Sequence, residues 1–171
     1  MRLHKCVFLD RDGVLNRERG DYSYRLGDFE ILPDVKESLK ILKNSGYLLI
    51  VITNQAGIAK GIYERVDVLE CHEYLQQQTG RLIDDIYFCP HHPIFSSSLL
   101  RKPDSLMLEK AMAKWNIDPT VSFMIGDSNR DIQAAEKVGV KGLLVGDKKE
   151  GIKTAPVAKS LLDAVYSFVD I

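Results

Sequence analysis

Cysteine is scarce in this chain, with three among 171 residues, at positions 6, 71 and 89. An odd, scattered set is no disulfide framework, and it suits a reduced, cytoplasmic setting. Long apolar runs are missing too. None approaches the ~20 residues that span a bilayer, and the basic start "MRLHKCVFLD" meets its first acid too early for a signal peptide. Charge of one sign is also lacking: the formal net charge is −1, without the basic stripe of a nucleic-acid surface. Internal repeats, low-complexity tracts and linkers do not occur, so residues 1–171 read as a single domain. The expected partners are therefore neither nucleic acid nor membrane, and the expected state is a monomer.

What is present is enough apolar residue to build a core: 45% hydrophobic against 27% charged. "CVFL" (6–9), "YLLIVIT" (47–53), "DDIYFC" (84–89), "VSFMIG" (121–126) and "GLLVG" (142–146) read as buried strands, and the second, apolar on both faces, as a central one. Helices are predicted between them. The first runs over 33–46, with Asp34 as cap, Glu37 completing a capping box and Gly46 ending it. Others cover Glu64–Thr79, closed by Gly80, then Ser105–Trp115 and Asn129–Val138. A last amphipathic helix runs from Ala155 through Val157, Leu161, Val165 and Phe168. This alternation predicts an α/β fold, a doubly wound parallel sheet in three layers. Such sheets bind ligands beyond the carboxyl ends of their strands. Asp10 and Asp12, Thr53 and Asn54, and Asp127 all follow apolar strands directly, so a site is expected at that edge.

The stretch "FLDRDGVLN" (8–16) places two carboxylates one residue apart at a strand end. Hard oxygen ligands without His or Cys nearby suit Mg²⁺, which takes one or two carboxylates and leaves room for a substrate phosphate. Acids after a strand also serve as turn formers or caps, and a lone DxD leaves both readings open. Thr53 and the small-residue loop of "VITNQAG" offer a hydroxyl and amides to an anion, or merely a turn. "RKPD" (101–104) puts Arg101 and Lys102 in a loop, where solvated charge is the ordinary alternative. "GDSNRD" puts Asp127 and Asp131 at a strand-to-helix turn, a place for a metal or for a helix cap.

The ordered set "DRDGV", "TNQAG", "RKP" and "GDSNRD" resembles the four motifs of the haloacid dehalogenase superfamily, in its Mg²⁺-dependent phosphatase branch. More narrowly, "FLDRDGVLN", "TNQAGIAKG", "CPHHP" and "RKPD" are similar to the heptose bisphosphate and histidinol phosphate phosphatases. The resemblance implies a Rossmann-like core and a small phosphorylated sugar as substrate, with heptose 1,7-bisphosphate first and histidinol phosphate as the rival. It implies Asp10 as nucleophile forming an aspartyl-phosphate, and Asp12 as general acid and then base. It implies Mg²⁺ on Asp10, the Asp12 carbonyl and Asp127. Thr53 and Lys102 would hold phosphoryl oxygens, and Arg101, Asn54, Gln55 and the 16–21 loop with Asn16, Glu18 and Asp21 would face the substrate.

The chain departs from that pattern in places. The narrower family's structural zinc site needs two cysteine-bearing segments, but only Cys89 and His91 remain, with Ser98 and Leu100 where the second pair belongs. Two ligands make no closed tetrahedral site, so no zinc is expected. Ser128 stands where heptose phosphatases often have Lys, and Asp21 where Tyr is common. Too few elements fit between the motifs for an inserted cap domain, so the core is expected to be capless. A different class, a receiver module that stores phosphate on Asp without turnover, would place its phosphorylated Asp on a middle strand after the acidic pair, the opposite order.

Overall fold

Every residue of β1 (Cys6–Leu9) is apolar and buried, which a strand sustains only when both faces of its sheet are covered. The structure, a computed structural model, describes residues 3–146 and 155–169. β1 pairs in parallel with β2 (Leu48–Asn54) on one side and β4 (Phe123–Gly126) on the other, so that Phe8 lies opposite both Ile50 and Met124. β3 (Asp85–Cys89) lies outside β2; β5 (Lys141–Val145) and the short β6 (Val157–Ala158) continue beyond β4. The six-stranded order is β3-β2-β1-β4-β5-β6, with every pairing parallel. The fold class expected from the alternation is therefore present. One detail changes: β2 is interior, but β1 and β4 hold the middle.

The two-residue period of the strands sorts side chains into two layers. Val7, Leu9, Leu49, Val51, Phe123 and Ile125 pack in one core with residues of α1 (Val35–Asn44), α2 (Arg65–Gln78) and α5 (Leu161–Phe168). Cys6, Phe8, Ile50, Ile52 and Met124 pack in the other with α3 (Leu106–Trp115) and α4 (Asn129–Glu136). The order of strands reverses between β1 and β4, which opens the crevice where ligands of such sheets bind.

Helix ends follow local chemistry, with one correction. α1 stops in a Schellman motif: Tyr47 N donates to the Leu42 carbonyl and Gly46 N to that of Lys43, with Gly46 at φ 82. Its start is not the capping box expected. Asp34 sits at φ 65 with no side-chain cap, whereas capping needs an extended backbone to bring the carboxylate onto the first amides. The Asp34 carbonyl instead accepts from both Ser38 N and Ser38 Oγ. α2 carries the box in its place, with Glu64 N donating to Asp67 Oδ2 at 2.7 Å.

The tail differs from the single helix predicted. Val157 and Ala158 pair with Leu144 and Val145 as β6, covering an edge of β5 that would otherwise leave backbone groups unpaired. α5 begins only after Ser160, whose Oγ accepts from Asp163 N. Leu161 and Val165 are buried as expected; the side chain of Phe168 and residues 170–171 lie outside the described residues. β4 also starts later than read, at Phe123, because Pro119–Val121 forms a 3₁₀ turn. Among the described residues no helix is long and apolar enough to cross a membrane.

Candidate active site

Asp10 is the first residue beyond β1. Its N–H continues the ladder to the Ile125 carbonyl at 2.9 Å, and its Oδ1 accepts from Arg11 N at 2.8 Å. The same oxygen lies 2.8 Å from Lys102 Nζ, which also lies 2.6 Å from Asp131 Oδ1 and donates to the Ile52 carbonyl at 2.7 Å. Three oxygens thus surround an ammonium that has three protons to give. Burial pushes the Asp10 carboxyl up to about 7, against the pull of Lys102 and with a further push from Asp131. For Lys102, burial alone would lower the pKa, but Asp10 and Asp131 outweigh it and hold the ammonium above its ordinary value.

Asp127 follows β4, and Asp131 sits in the first turn of α4 with no solvent exposure. Asp131 Oδ2 accepts from Ser128 N and Ser128 Oγ, at 3.1 and 2.8 Å. One oxygen from each of Asp10, Asp127 and Asp131 falls within 4.8 Å of the others. Such a set of hard carboxylate oxygens is of the kind that Mg²⁺ takes, and it fits that ion. The spacing GDxxxD contains the signal for Asp131: four residues bring a helix's first turn back over the strand end. Gly13 keeps this cluster open. It sits at φ 82, and a Cβ there would come within 2.6 Å of Asp127 Oδ2.

Asp12 has a separate environment. The Arg11 side chain, almost wholly buried, reaches Asp12 Oδ1 and Oδ2 through Nη2 at 3.0 and 3.1 Å. The same Nη2 donates to the Ser23 carbonyl at 2.7 Å. Asn16 Nδ2 donates to Asp12 Oδ1 at 2.9 Å, and Gln55 Nε2 to Asp12 Oδ2 at 3.1 Å. Gln55 also donates to Thr53 Oγ1 and accepts from Tyr63 Oη. Each member of the acidic pair therefore has its own cation from the chain, Arg11 for Asp12 and Lys102 for Asp10.

These contacts redistribute the residues expected to face a substrate. Asn16 is fully buried and turned onto Asp12; its fixed amide leaves it holding the carboxylate, and it lines neither cavity of the site. Gln55 spends its amide nitrogen on Asp12 and Thr53, although it borders the larger cavity. Asn54 clasps Lys102, donating to its carbonyl at 3.0 Å and accepting from its N–H at 3.1 Å. Glu18, Asp21 and Arg101 do line the larger cavity.

Two cavities adjoin. A small one, of about 80 Å³, is walled by Asp10, Asp12, Thr53, Lys102 and Asp127 together with Glu18, Asn54 and Arg130. The larger, of about 450 Å³, shares Asp12, Glu18, Asn54 and Arg130 with it and adds Asp21, Tyr22, His92 and Arg101 among others. Arg130 and His92 were not among the residues the motifs singled out. Cys89 is buried in the core, while His91 Nδ1 lies 3.4 Å from Ser96 Oγ.

Residues 14–145 match the family model described as haloacid dehalogenase-like hydrolase. A protein of Haemophilus ducreyi named D-glycero-beta-D-manno-heptose-1,7-bisphosphate 7-phosphatase is 40% identical, over 94% of this chain and 96% of its own. One from Photorhabdus laumondii, named for the alpha anomer of the same bisphosphate, is 38% identical over 80% of this chain and 79% of its own. The D,D-heptose 1,7-bisphosphate phosphatase of B. bronchiseptica, solved with magnesium and phosphate, superposes with a TM-score of 0.84 at 26% identity, covering 95% of this chain and 96% of that one.

Proposed function

The chain belongs to the haloacid dehalogenase-like hydrolase family, and on that premise we propose that it is a Mg²⁺-dependent phosphatase acting on D-glycero-D-manno-heptose 1,7-bisphosphate as one cytoplasmic catalytic domain. The observation that carries this reading is the meeting, at the β1/β4 crevice, of Asp10 with Lys102 and the Asp127–Asp131 pair. The substrate comes from the relatives named for that sugar. They divide between the two anomers at similar identity, so the anomer is left to experiment.

The residues divide the work by their contacts. Asp10 Oδ1 is tied down by Arg11 N and Lys102, which leaves Oδ2 to attack phosphorus and form the aspartyl-phosphate. Asp12, oriented by Arg11, Asn16 and Gln55, gives a proton to the leaving alcohol. It then takes one from the water that cleaves the acyl phosphate. Thr53 and Lys102 stand where the phosphoryl oxygens gather charge. Asp10, Asp127 and Asp131 would hold Mg²⁺, which supplies charge stabilisation to the transferring group. Asp131 thereby joins the ligand set expected from the motifs, and the Asp12 carboxylate stays outside it.

Phosphate release from both anomers of the bisphosphate, beside histidinol phosphate, with Mg²⁺ and with chelator, tests the reading. Mg²⁺-dependent turnover of a heptose anomer, lost in Asp10→Asn, is expected. Preference for histidinol phosphate would replace the substrate, and turnover by Asp10→Asn would remove the covalent route.

A further inference from the structure

Tyr63 precedes the start of α2 and is almost wholly buried. Its ring stacks on that of Tyr24, with centroids 4.9 Å apart and planes at 19°, and meets the Tyr22 ring edge-on at 5.6 Å. It also lies so close to Gly57 that a Cβ there would come within 2.0 Å of Tyr63 Cε1. The ring therefore has one place to be.

Its hydroxyl has one direction in which to give its proton. Tyr63 Oη donates to Gln55 Oε1 at 2.8 Å. Burial holds the pKa of the phenol well above its ordinary value, against the charge of Arg11 and a hydrogen bond from the Gly57 amide. The phenol thus stays protonated, and with Gly57 on its oxygen its own proton goes to Gln55.

That direction matters because a carboxamide has nearly the same shape either way round, and only its partners settle which end is oxygen. With its oxygen taken by Tyr63, Gln55 turns both protons of Nε2 the other way. One meets Asp12 Oδ2 at 3.1 Å and the other Thr53 Oγ1 at 2.9 Å. Thr53 accepts there, which leaves its own proton for a phosphoryl oxygen in the small cavity that it lines. Reversed, the amide would set an oxygen against the Asp12 carboxylate and draw the Thr53 proton to itself. Tyr63 lines neither cavity of the site, so any effect it has on the chemistry passes through Gln55.

We propose that Tyr63 is a positioning residue: through Gln55 it aims the Asp12 carboxylate at the leaving oxygen and the Thr53 proton at the phosphoryl group. This rests on the phosphatase reading and deepens it.

The test measures kcat/KM on phenyl phosphate and on 4-nitrophenyl phosphate, with Mg²⁺, for wild type, Tyr63→Phe, Gln55→Leu and the double variant. Phenylalanine keeps the stacked ring and removes only the hydroxyl. A misaimed acid costs most where the leaving group is most basic, which is phenolate. Tyr63→Phe is expected to lower kcat/KM roughly ten- to a hundredfold on phenyl phosphate, and several-fold less on 4-nitrophenyl phosphate. Gln55→Leu, with the tyrosine stack untouched, should show the same dependence on leaving group. In that background Tyr63→Phe should cost little more, because its route to Asp12 is already gone. Equal losses on the two esters in either single variant would overturn the role of Tyr63, as would unchanged kinetics or losses that add in the double variant. Wild type without Mg²⁺-dependent turnover of either ester would refute the phosphatase reading itself, and the inference with it.

Discussion

Two carboxylates separated by one residue, Asp10 and Asp12, would repel each other in an open turn. The chain separates their charges by giving each a buried cation, Lys102 from a distant loop and Arg11 from between the pair. Their positions were legible in the sequence because each polar motif follows an apolar run, which fixes where a strand ends. The direction of individual side chains was not. Asn16 and Gln55 turn inward onto Asp12, and Arg11 finds Ser23 only because the loop returns over it; spacing along the chain encodes neither. Gly13 offers the sharpest test at this scale. Gly13→Ala adds a Cβ 2.6 Å from Asp127 Oδ2 at a left-handed backbone position, whose intrinsic cost is about 1–2 kcal/mol. The displaced carboxylate should raise the Mg²⁺ concentration for half-maximal phosphate release roughly ten- to a hundredfold. An unaltered Mg²⁺ titration would show that Asp127 is no ligand.

Among the elements, strand β2 does more than fill the sheet. Its last residue, Asn54, hands the Lys102 loop two backbone hydrogen bonds, and its Ile52 carbonyl receives the ammonium. Asn54→Ala removes both amide contacts, each of which contributes about 0.5–1.5 kcal/mol. Steady-state kinetics should show kcat falling about tenfold or more, since Lys102 loses its fixed position; a change confined to KM would assign Asn54 to substrate binding instead. Elements with a strong period or a glycine stop were readable, as α1 shows at Gly46. The start of α1 was not, because the left-handed turn at Asp34 is set by the chain arriving from β1 across a long loop. Nor was β6: two residues carry no period, and Val157 is a strand only because the edge of β5 lies beside it.

The whole molecule should register the proposed Mg²⁺ as stability. A cation bound only by the folded chain at about a hundred times its dissociation constant adds about 2.7 kcal/mol, which for a protein of this size raises Tm by roughly 5–10 °C. Thermal unfolding with Mg²⁺ against chelator should show that rise, and Asp127→Asn should remove most of it; an equal rise in the variant would place the ion elsewhere. His72 supplies a pH dependence of the opposite kind. Burial, then the charge of Arg11, lowers its pKa to about 3, while the unfolded chain protonates near 6.5. Above that value the residue is neutral in both states and costs nothing. Below it only the unfolded chain takes the proton, so stability declines as pH falls from about 6.5 towards about 3. Chemical denaturation should find about 2 kcal/mol less stability from this group at pH 5 than at pH 7, a difference absent in His72→Gln. Matching slopes in the two proteins would reject it.

The strand order also bears on how the protein is made. β1 leaves the ribosome first, but one of its two neighbours begins only at Phe123, and a chain grows at about 5–20 residues per second. For several seconds Asp10 exists without Asp131 and without the strand that aligns it. A nascent chain therefore carries the proposed nucleophile as an ordinary solvated aspartate, unable to take phosphate from anything it meets. Hydrolytic power arrives late and all at once, when β4 slots in beside β1.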